Sequence, residues 1–228
     1  MLGSHSSARR RLATALLAGA TLAACSSGPA RGALSYEQTI ATERDAKDRM
    51  FLQASDSPVP EPQRASVVPL SYFPVDPSYR VAAMLVPSGD ESVFEMPTST
   101  GQRRRMRRAG LLQFALKNQP MQLTAFVEAD DRAMNRLFVP FTDMTNGTET
   151  YAAGRYMDLD RTGSGIYEID FNRAYHPYCF YNPTYDCPYP PPENRLKIPI
   201  RSGERAPKAL VDRSSLTGPG AGLPEPSR

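Results

Sequence analysis

Three carboxylates, Glu149, Asp170 and Glu193, and one imidazole, His176, are the candidates of this chain for acid–base chemistry. All lie within residues 145–200, a stretch that also holds Cys179, Cys187 and most of the tyrosines. Two carboxyls that meet in a pocket can divide the work of general acid and general base, as in hydrolysis or group transfer. Glu168, Asp170 and Asn172 alternate with Tyr167, Ile169 and Phe171, which puts the polar set on one face of a strand. That face is either solvated or lines a pocket, with Glu149, Arg155, His176 or Glu193 converging from neighbouring strands. Tyr151, Asn194 and Arg195 complete this candidate polar site.

Residue type and spacing exclude several other chemistries. His5 falls in an N-terminal segment that reads as cleaved, which leaves His176 alone. A multi-histidine metal site is therefore excluded, and any triad-like device must use His176. A lone histidine beside Pro177 and among tyrosines is more often hydrogen-bonded structure than a base. Asp158-Leu159-Asp160-Arg161-Thr162-Gly163 begins like a calcium loop, but its third acid is missing and its twelfth position is Ile169. Gly163-Ser164-Gly165 lacks the GxSxG spacing of a nucleophile elbow. No metal and no cofactor is expected. Tyr175, Tyr178, Phe180, Tyr181, Tyr185 and Tyr189 interleave with prolines to make a stiff aromatic loop. Such a loop suits ligand contact at low entropic cost, or it covers the open end of a β core.

The segments that deliver and position these residues read as follows. Residues 1–24 have a basic start (Arg9, Arg10, Arg11) and a short uncharged apolar run, the pattern of a secretory signal. Leu22-Ala23-Ala24-Cys25 resembles the lipobox of bacterial lipoproteins, which implies cleavage before Cys25 and acylation of that residue. Several acyl chains hold a protein stably on a membrane. The formal net charge of +3 comes from the three signal arginines; without them 24 basic residues face 24 acidic ones. The basic balance is thus no argument for nucleic acid, which is not an expected partner. The expected partners are the membrane, through the lipid, and a cell-wall glycan or another envelope protein. The expected location is the bacterial cell envelope. Ser26 is not an aspartate-type retention signal, so the outer membrane facing the periplasm is favoured where the cell has one. With Cys25 acylated, Cys179 and Cys187 form an even pair in an oxidising compartment and read as a disulfide. Closing so short a loop would stabilise by about 2–3 kcal/mol on the chain-entropy model. A metal pair and two free thiols are the alternatives.

Residues 25–33 read as a tether and residues 34–54 as a helix, opened by a Ser35/Gln38 capping box. Glu43/Lys47 and Asp45/Arg49 have the spacing of i,i+4 ion pairs, and the apolar face is thin: Tyr36, Ile40, Phe51. Residues 55–69, with Pro58, Pro60, Pro62 and Pro69, read as an extended linker. From residue 70 to 205 the period changes to two. Strands are expected at 79–86, 111–117, 121–128, 136–142, 151–159, 166–172 and 196–201, with hairpins at Asn118-Gln119-Pro120 and Asn146-Gly147. The fold class is mainly β, an antiparallel sandwich or barrel with one N-terminal helix and a disordered C-terminal tail over 206–228. The run Arg103-Arg104-Arg105-Met106-Arg107-Arg108 reads as a solvated strand edge in preference to a docking surface for anionic lipid or polymer.

Several of these stretches together resemble the bacterial domain-of-unknown-function family 1684. They are Thr148-Glu149-Thr150-Tyr151 with Gly154-Arg155-Tyr156, Asp170-Phe171-Asn172-Arg173-Ala174-Tyr175, and Cys187-Pro188 running into Pro191-Pro192-Glu193-Asn194-Arg195-Leu196. Tyr72-Phe73-Pro74-Val75-Asp76, Tyr79-Arg80-Val81 and the apolar hairpin over 111–127 are similar too. The resemblance covers residues 71–205 and implies a domain boundary and a residue set, with no assigned activity. The pattern has Asn-Pro in many members where this chain has His176-Pro177, so it implies no family-wide chemistry for the imidazole. The expected protein is a lipid-anchored envelope module that binds or supports and does no chemistry. The alternative is an envelope hydrolase or transferase using Glu149, Asp170 or Glu193, and it requires two of those carboxyls to meet in a pocket.

Overall fold

The computed structural model describes residues 34–133 and 135–207. The stretches expected to be signal, acylated Cys25 and tether, and the tail from residue 208, lie outside the described residues.

Alternating apolar residues dictate the frame. Seven strands, β1 Arg80–Pro87, β2 Val93–Pro97, β3 Arg103–Leu116, β4 Gln119–Glu128, β5 Arg136–Phe141, β6 Arg155–Asp160 and β7 Ile166–Asp170, form one antiparallel sheet. Its order is β6-β5-β4-β3-β1-β7, with β2 added against β3. The sheet curls into a nearly closed barrel. The last step of closure falls to the residue run after β7: Tyr156 and Tyr175 exchange two backbone hydrogen bonds at 2.9 and 3.0 Å. Inward residues of every long strand, among them Leu112, Leu123, Leu137, Val139, Phe141, Met157, Ile169 and Phe171, make the main core. Two satellite clusters flank it. Met96, Met106 and Phe126 pack on the outer face of β2–β4. Phe51, Val59, Leu70 and Tyr181 pack beneath the helix.

Local chemistry explains the turns. β3 and β4 join through Lys117 and Asn118, both at positive φ (50° and 62°), the two-residue turn that matches strand twist. The turn therefore lies one residue earlier than Asn118-Gln119-Pro120, and Pro120 sits inside β4 opposite Ala115. Between β4 and β5 only Phe126 and Phe138 pair directly. Pro140 has no N–H to give there, and the side chain of buried Asn194 takes over: it accepts from Thr124 N–H (2.7 Å) and donates to the carbonyls of Thr124 (2.8 Å) and Pro140 (2.7 Å). Asn194 is thus a clamp between strands.

Four expectations change. The strand expected over 196–201 does not form: Pro199 lacks a donor, and the carbonyls of Ile200, Ser202 and Glu204 turn away to a side chain described below. The segment 55–69 is packed, with a 3-10 turn at Glu61–Gln63, a single helical turn α2 at Arg64–Val67 and a fully buried Val59. The prolines there shape turns because apolar neighbours anchor them. β2 and the first half of β3 extend the sheet into the arginine run. Arg103, Arg104, Arg107 and Arg108 are matched by Glu95, Glu128 with Asp186, Glu91 and Glu193, so the strand is largely compensated. Finally Ala206, assigned to the tail, is buried and donates its N–H to Glu149 O at 2.9 Å.

The helix α1, Tyr36–Gln53, is capped as expected, with both Ser35/Gln38 hydrogen bonds present. Its charges do not pair along the helix. Glu43 binds Arg173 (2.8 Å) and Lys47 binds Glu204, so the helix is bolted to the barrel by tertiary ion pairs.

Candidate functional site

The candidate polar residues do not meet at one site: Asp170 bonds Asn172, Tyr151 N–H bonds His176, and the rest have other partners. They divide among separate places, each with its own partners.

Asp170 ends β7 and caps the 3-10 turn Phe171–Arg173 by accepting from Asn172 N–H (3.0 Å). Its buried carboxylate also accepts from Tyr36 Oη (2.8 and 2.9 Å) and Arg173 Nη1 (2.7 Å). Asn172 is saturated: its oxygen accepts from Asp76 N–H (2.9 Å) and Ser202 Oγ (2.8 Å), and its amide donates to Asp76 O (2.9 Å) and Asp170 (3.1 Å). Glu149 lies at the surface against Arg201 (2.8 Å), and Glu193 at the surface against Arg108 (3.2 Å). Arg195 is exposed. The three carboxylates share no partner, which removes the geometry that a two-carboxylate mechanism needs.

Arg155 is 0% exposed and is the largest fully buried side chain. Its guanidinium donates to Asp143 Oδ2 (2.9 Å) and to the carbonyls of Ile200 (2.7 Å), Ser202 (2.5 Å) and Glu204 (3.1 Å). Asp143 in turn accepts from Thr145 N–H (2.8 Å) and Ile200 N–H (3.1 Å). The pair organises the closing segment of the domain around one ion pair inside the fold.

His176 is equally buried. Its Nε2 accepts from Tyr151 N–H (3.3 Å) and its Nδ1 faces Glu204 Oε2 at 3.5 Å, so it is the neutral Nδ1–H tautomer. Burial pushes its pKa down to about 3, against the attraction of Glu204. Glu204 also accepts from His176 N–H (2.7 Å), Tyr181 Oη (3.0 Å) and Lys47 Nζ. Burial alone would raise the Glu204 pKa, but Lys47 and these hydrogen bonds outweigh it and hold it below the ordinary value. With His176 neutral, Lys47 is the cation that balances Glu204. The imidazole has both nitrogens engaged and no opening to solvent, so it holds structure.

A pH dependence follows. Between pH about 6.5 and about 3 the unfolded histidine binds a proton that the folded one refuses, so stability falls as pH falls through that window. Glu204 adds a loss only lower, as pH drops through its depressed folded pKa. His176→Gln, which keeps a donor and an acceptor and cannot titrate, is expected to flatten urea-denaturation stability between pH 6.5 and 4.5 and leave the lower limb. An unchanged slope in that upper window would refute the assignment.

The disulfide expected between Cys179 and Cys187 is not formed. Both are free thiols, with Cys179 N–H donating to Cys187 Sγ at 3.2 Å. The neighbouring thiol pushes the pKa of Cys179 up, and the Cys179 side chain and N–H hold that of Cys187 down. The loop is already held without a covalent bond: Cys187 N–H donates to Ser99 Oγ (3.1 Å) and Ser99 N–H to Cys187 O (2.9 Å).

The aromatic loop has two faces. Tyr181 and Phe180 pack inward on Phe51 of α1, closing the core; Phe51 and Tyr181 meet edge to face at 5.2 Å. Tyr178, Tyr185 and Tyr175 turn outward and, with Tyr156 and Phe138, wall an open cleft of about 580 Å³ against the outer face of the sheet. Tyr178 and Tyr185 stand edge to face at 5.3 Å, and Tyr178 is 39% exposed. At the cleft Arg104 lies by Glu128 and Asp186 (3.6 Å each), while the Asp158 carboxylate accepts from the neutral Tyr175 Oη (2.8 Å). None of the candidate polar site residues lines it. Of the residues that organise the interior, Glu204, Asp143, Ser202 and Lys47 carry no local signal that marks them. Only Gly203, a glycine in a polar loop, hints at a constrained backbone next to Glu204.

Fold and site together define a small, nearly closed antiparallel barrel with a buried ionic centre, braced by one helix and bearing an aromatic cleft. Residues 67–205 match the family model described as "Protein of unknown function (DUF1684)", and the chain belongs to that family. It is similar to the solution NMR structure of an uncharacterized protein from gene locus rrnAC0354 of Haloarcula marismortui: 37% identity, TM-score 0.60, covering 75% of this chain and 94% of the other. That relative comes from an archaeon, so the likeness is not confined to bacteria. The comparison with curated proteins finds no match.

Proposed function

We propose that this is a lipid-anchored envelope module that binds a cell-wall glycan in the tyrosine-walled cleft and does no chemistry on it. The observation that carries the proposal is the outward set Tyr175, Tyr178 and Tyr185 around a 580 Å³ opening in which Arg104 already faces Glu128 and Asp186. Rigid tyrosines offer flat apolar faces and hydroxyls together, which suits a sugar ring with its own apolar face and hydroxyl rim. Carboxylates outnumber cations in the lining, which disfavours an anionic polymer and leaves a neutral polyhydroxyl ligand. The dispersal of Glu149, Asp170 and Glu193 supports binding over hydrolysis. The lipobox-like Leu22-Ala23-Ala24-Cys25 supports acylation at Cys25 and a place on the outer membrane facing the periplasm.

The test is calorimetric titration of the purified chain with soluble peptidoglycan fragments. Saturable binding is expected, weakened about tenfold or more by Tyr178→Ala or Tyr185→Ala, the loss typical of an aromatic anchor. Tyr181 is the wrong target because it is buried in the core. Absence of binding, or binding indifferent to both substitutions, would sink the glycan assignment. Labelled-palmitate incorporation that persists in Cys25→Ser would sink the anchor.

A further inference from the structure

Cys179 and Cys187 meet at the two ends of a loop of seven residues, and their surroundings differ. Cys187 is 6% exposed and lines the aromatic cleft; Cys179 is half-buried and is not part of that lining. Cys179 N–H donates to Cys187 Sγ (3.2 Å), and Arg104, on the same cleft wall, binds Asp186 O beside it (2.9 Å). Cys187 Sγ thus sits among donors. The Cys179 thiol and N–H, with the Arg104 charge, hold its pKa below the ordinary thiol value against burial and Asp186. Cys179 is the opposite case: the neighbouring thiol and burial push its pKa up.

Two features favour reversible exchange over a permanent staple. The loop keeps its shape as a dithiol, through the Ser99–Cys187 hydrogen bonds and Tyr189 N–H donating to Pro97 O (2.9 Å). A covalent bond is therefore not needed to order it. The donors around Cys187 Sγ also favour the thiolate. Stabilising the reduced form makes the oxidised form easier to reduce, the mark of a working disulfide and not of a structural one. The thiolate is the nucleophile in such exchange, so the asymmetry between the two sulfurs divides their roles. A cleft of about 580 Å³ is also within the size range of small-molecule sites.

We propose that Cys187 and Cys179 are a thiol–disulfide exchange pair, Cys187 the attacking and Cys179 the resolving sulfur, acting on a small disulfide admitted by the cleft. The Cys187 thiolate attacks one sulfur of the disulfide, forms a mixed disulfide and expels the first thiolate. Cys179 then attacks Cys187 Sγ, expels the second thiolate and closes the Cys179–Cys187 bond. The two protons of the pair pass through solvent to the two leaving thiolates. The small disulfide is reduced to two thiols as the pair loses two electrons, and excess thiol runs the same steps backwards. Once Cys187 is bound in the mixed disulfide, it no longer holds the Cys179 proton as a thiolate does, which frees Cys179 for the second step. This chemistry shares the cleft with the proposed glycan but uses none of Tyr175, Tyr178 and Tyr185, so either proposal can fail alone.

The test incubates the full chain, carrying Cys25→Ser so that only these two thiols remain, with mixtures of reduced and oxidised glutathione, and follows thiols and adducts by intact mass. Loss of both thiols without a lasting adduct is expected, with full recovery in excess reduced glutathione. Adding Cys179→Ser should stop the reaction at a stable glutathione adduct on Cys187. Adding Cys187→Ser instead should slow adduct formation about tenfold or more, because attack follows the thiolate fraction. If either variant fails to fold, brief alkylation of the two-thiol chain with iodoacetamide and peptide mapping decides, with Cys187 expected to be labelled before Cys179. No oxidation by the glutathione couple, a disulfide that excess reduced glutathione leaves intact, or equal reactivity of the two sulfurs overturns the proposal.

Discussion

Arg155→Met is expected to destabilise the domain by about 3–5 kcal/mol, the usual cost of breaking a buried ion pair by removing one partner. The side chain is 0% exposed, and its loss leaves the Asp143 carboxylate charged inside the protein. It also orphans the carbonyls of Ile200, Ser202 and Glu204. Those carbonyls set the paired test. In many proteins a buried ion pair can be replaced whole by apolar residues at little cost. Here Asp143→Leu with Arg155→Met is expected to recover little, because the three carbonyls and the N–H groups of Thr145 and Ile200 still lose their partners. Urea denaturation of the two variants reads this directly. A single variant within about 1 kcal/mol of the parent, or a double variant fully as stable, would show that Arg155 is not the organising group.

Gly203→Ala is the second large effect. Gly203 has φ +79°, and a Cβ there would lie 2.5 Å from Ala174 O and 2.6 Å from Phe171 O, both backbone atoms that cannot swing aside. Left-handed strain and overpacking together should cost about 2–6 kcal/mol. The consequence is local as well as global. Gly203 lets Ser202 and Glu204 turn their carbonyls to Arg155 while the Glu204 side chain reaches His176 and Lys47. Gly165→Ala provides the comparison: φ is +72°, but nothing lies within 4 Å, so only the conformational part applies, roughly 1–2 kcal/mol. Equal denaturation midpoints for the two variants would mean that the close approach at Gly203 carries no energy.

Much of the barrel could be read without coordinates because strands and caps are written in neighbouring residues. The alternation Tyr167-Ile169-Phe171 does face the core, and Ser35 with Gln38 does cap α1. The hairpin at 118–120 was legible to within a residue, whereas Asn146-Gly147 lies inside the long connection over 142–154 between β5 and β6. The strand at 93–97 was missed because its apolar pair, Phe94 and Met96, is short and sits beside a charge-rich run; it becomes a strand through its register with β3. The 196–201 segment erred the other way. It is apolar and extended, but Pro199 and the pull of Arg155 on its carbonyls deny it a ladder.

The polar site was the least legible part, and the reason is physical. Asp170, Arg155, His176 and Glu204 look like any surface charges in a string of residues, because burial is a property of the packed chain. Their partners are remote: Tyr36 reaches Asp170 across 134 positions, and Lys47 reaches Glu204 across 157. Glu43 and Lys47 had a ready partner in each other at i,i+4, worth only a few tenths of a kcal/mol on a solvated helix face. Packing the helix on the barrel offered each a partner across the interface, and both took it. Sequence alone therefore settled the family and the antiparallel frame. Packing decided that Glu149, Asp170 and Glu193 stand apart, and that one buried ion pair and one buried glutamate hold the closing segment. It also decided that the aromatic loop splits its rings between the core and an open cleft.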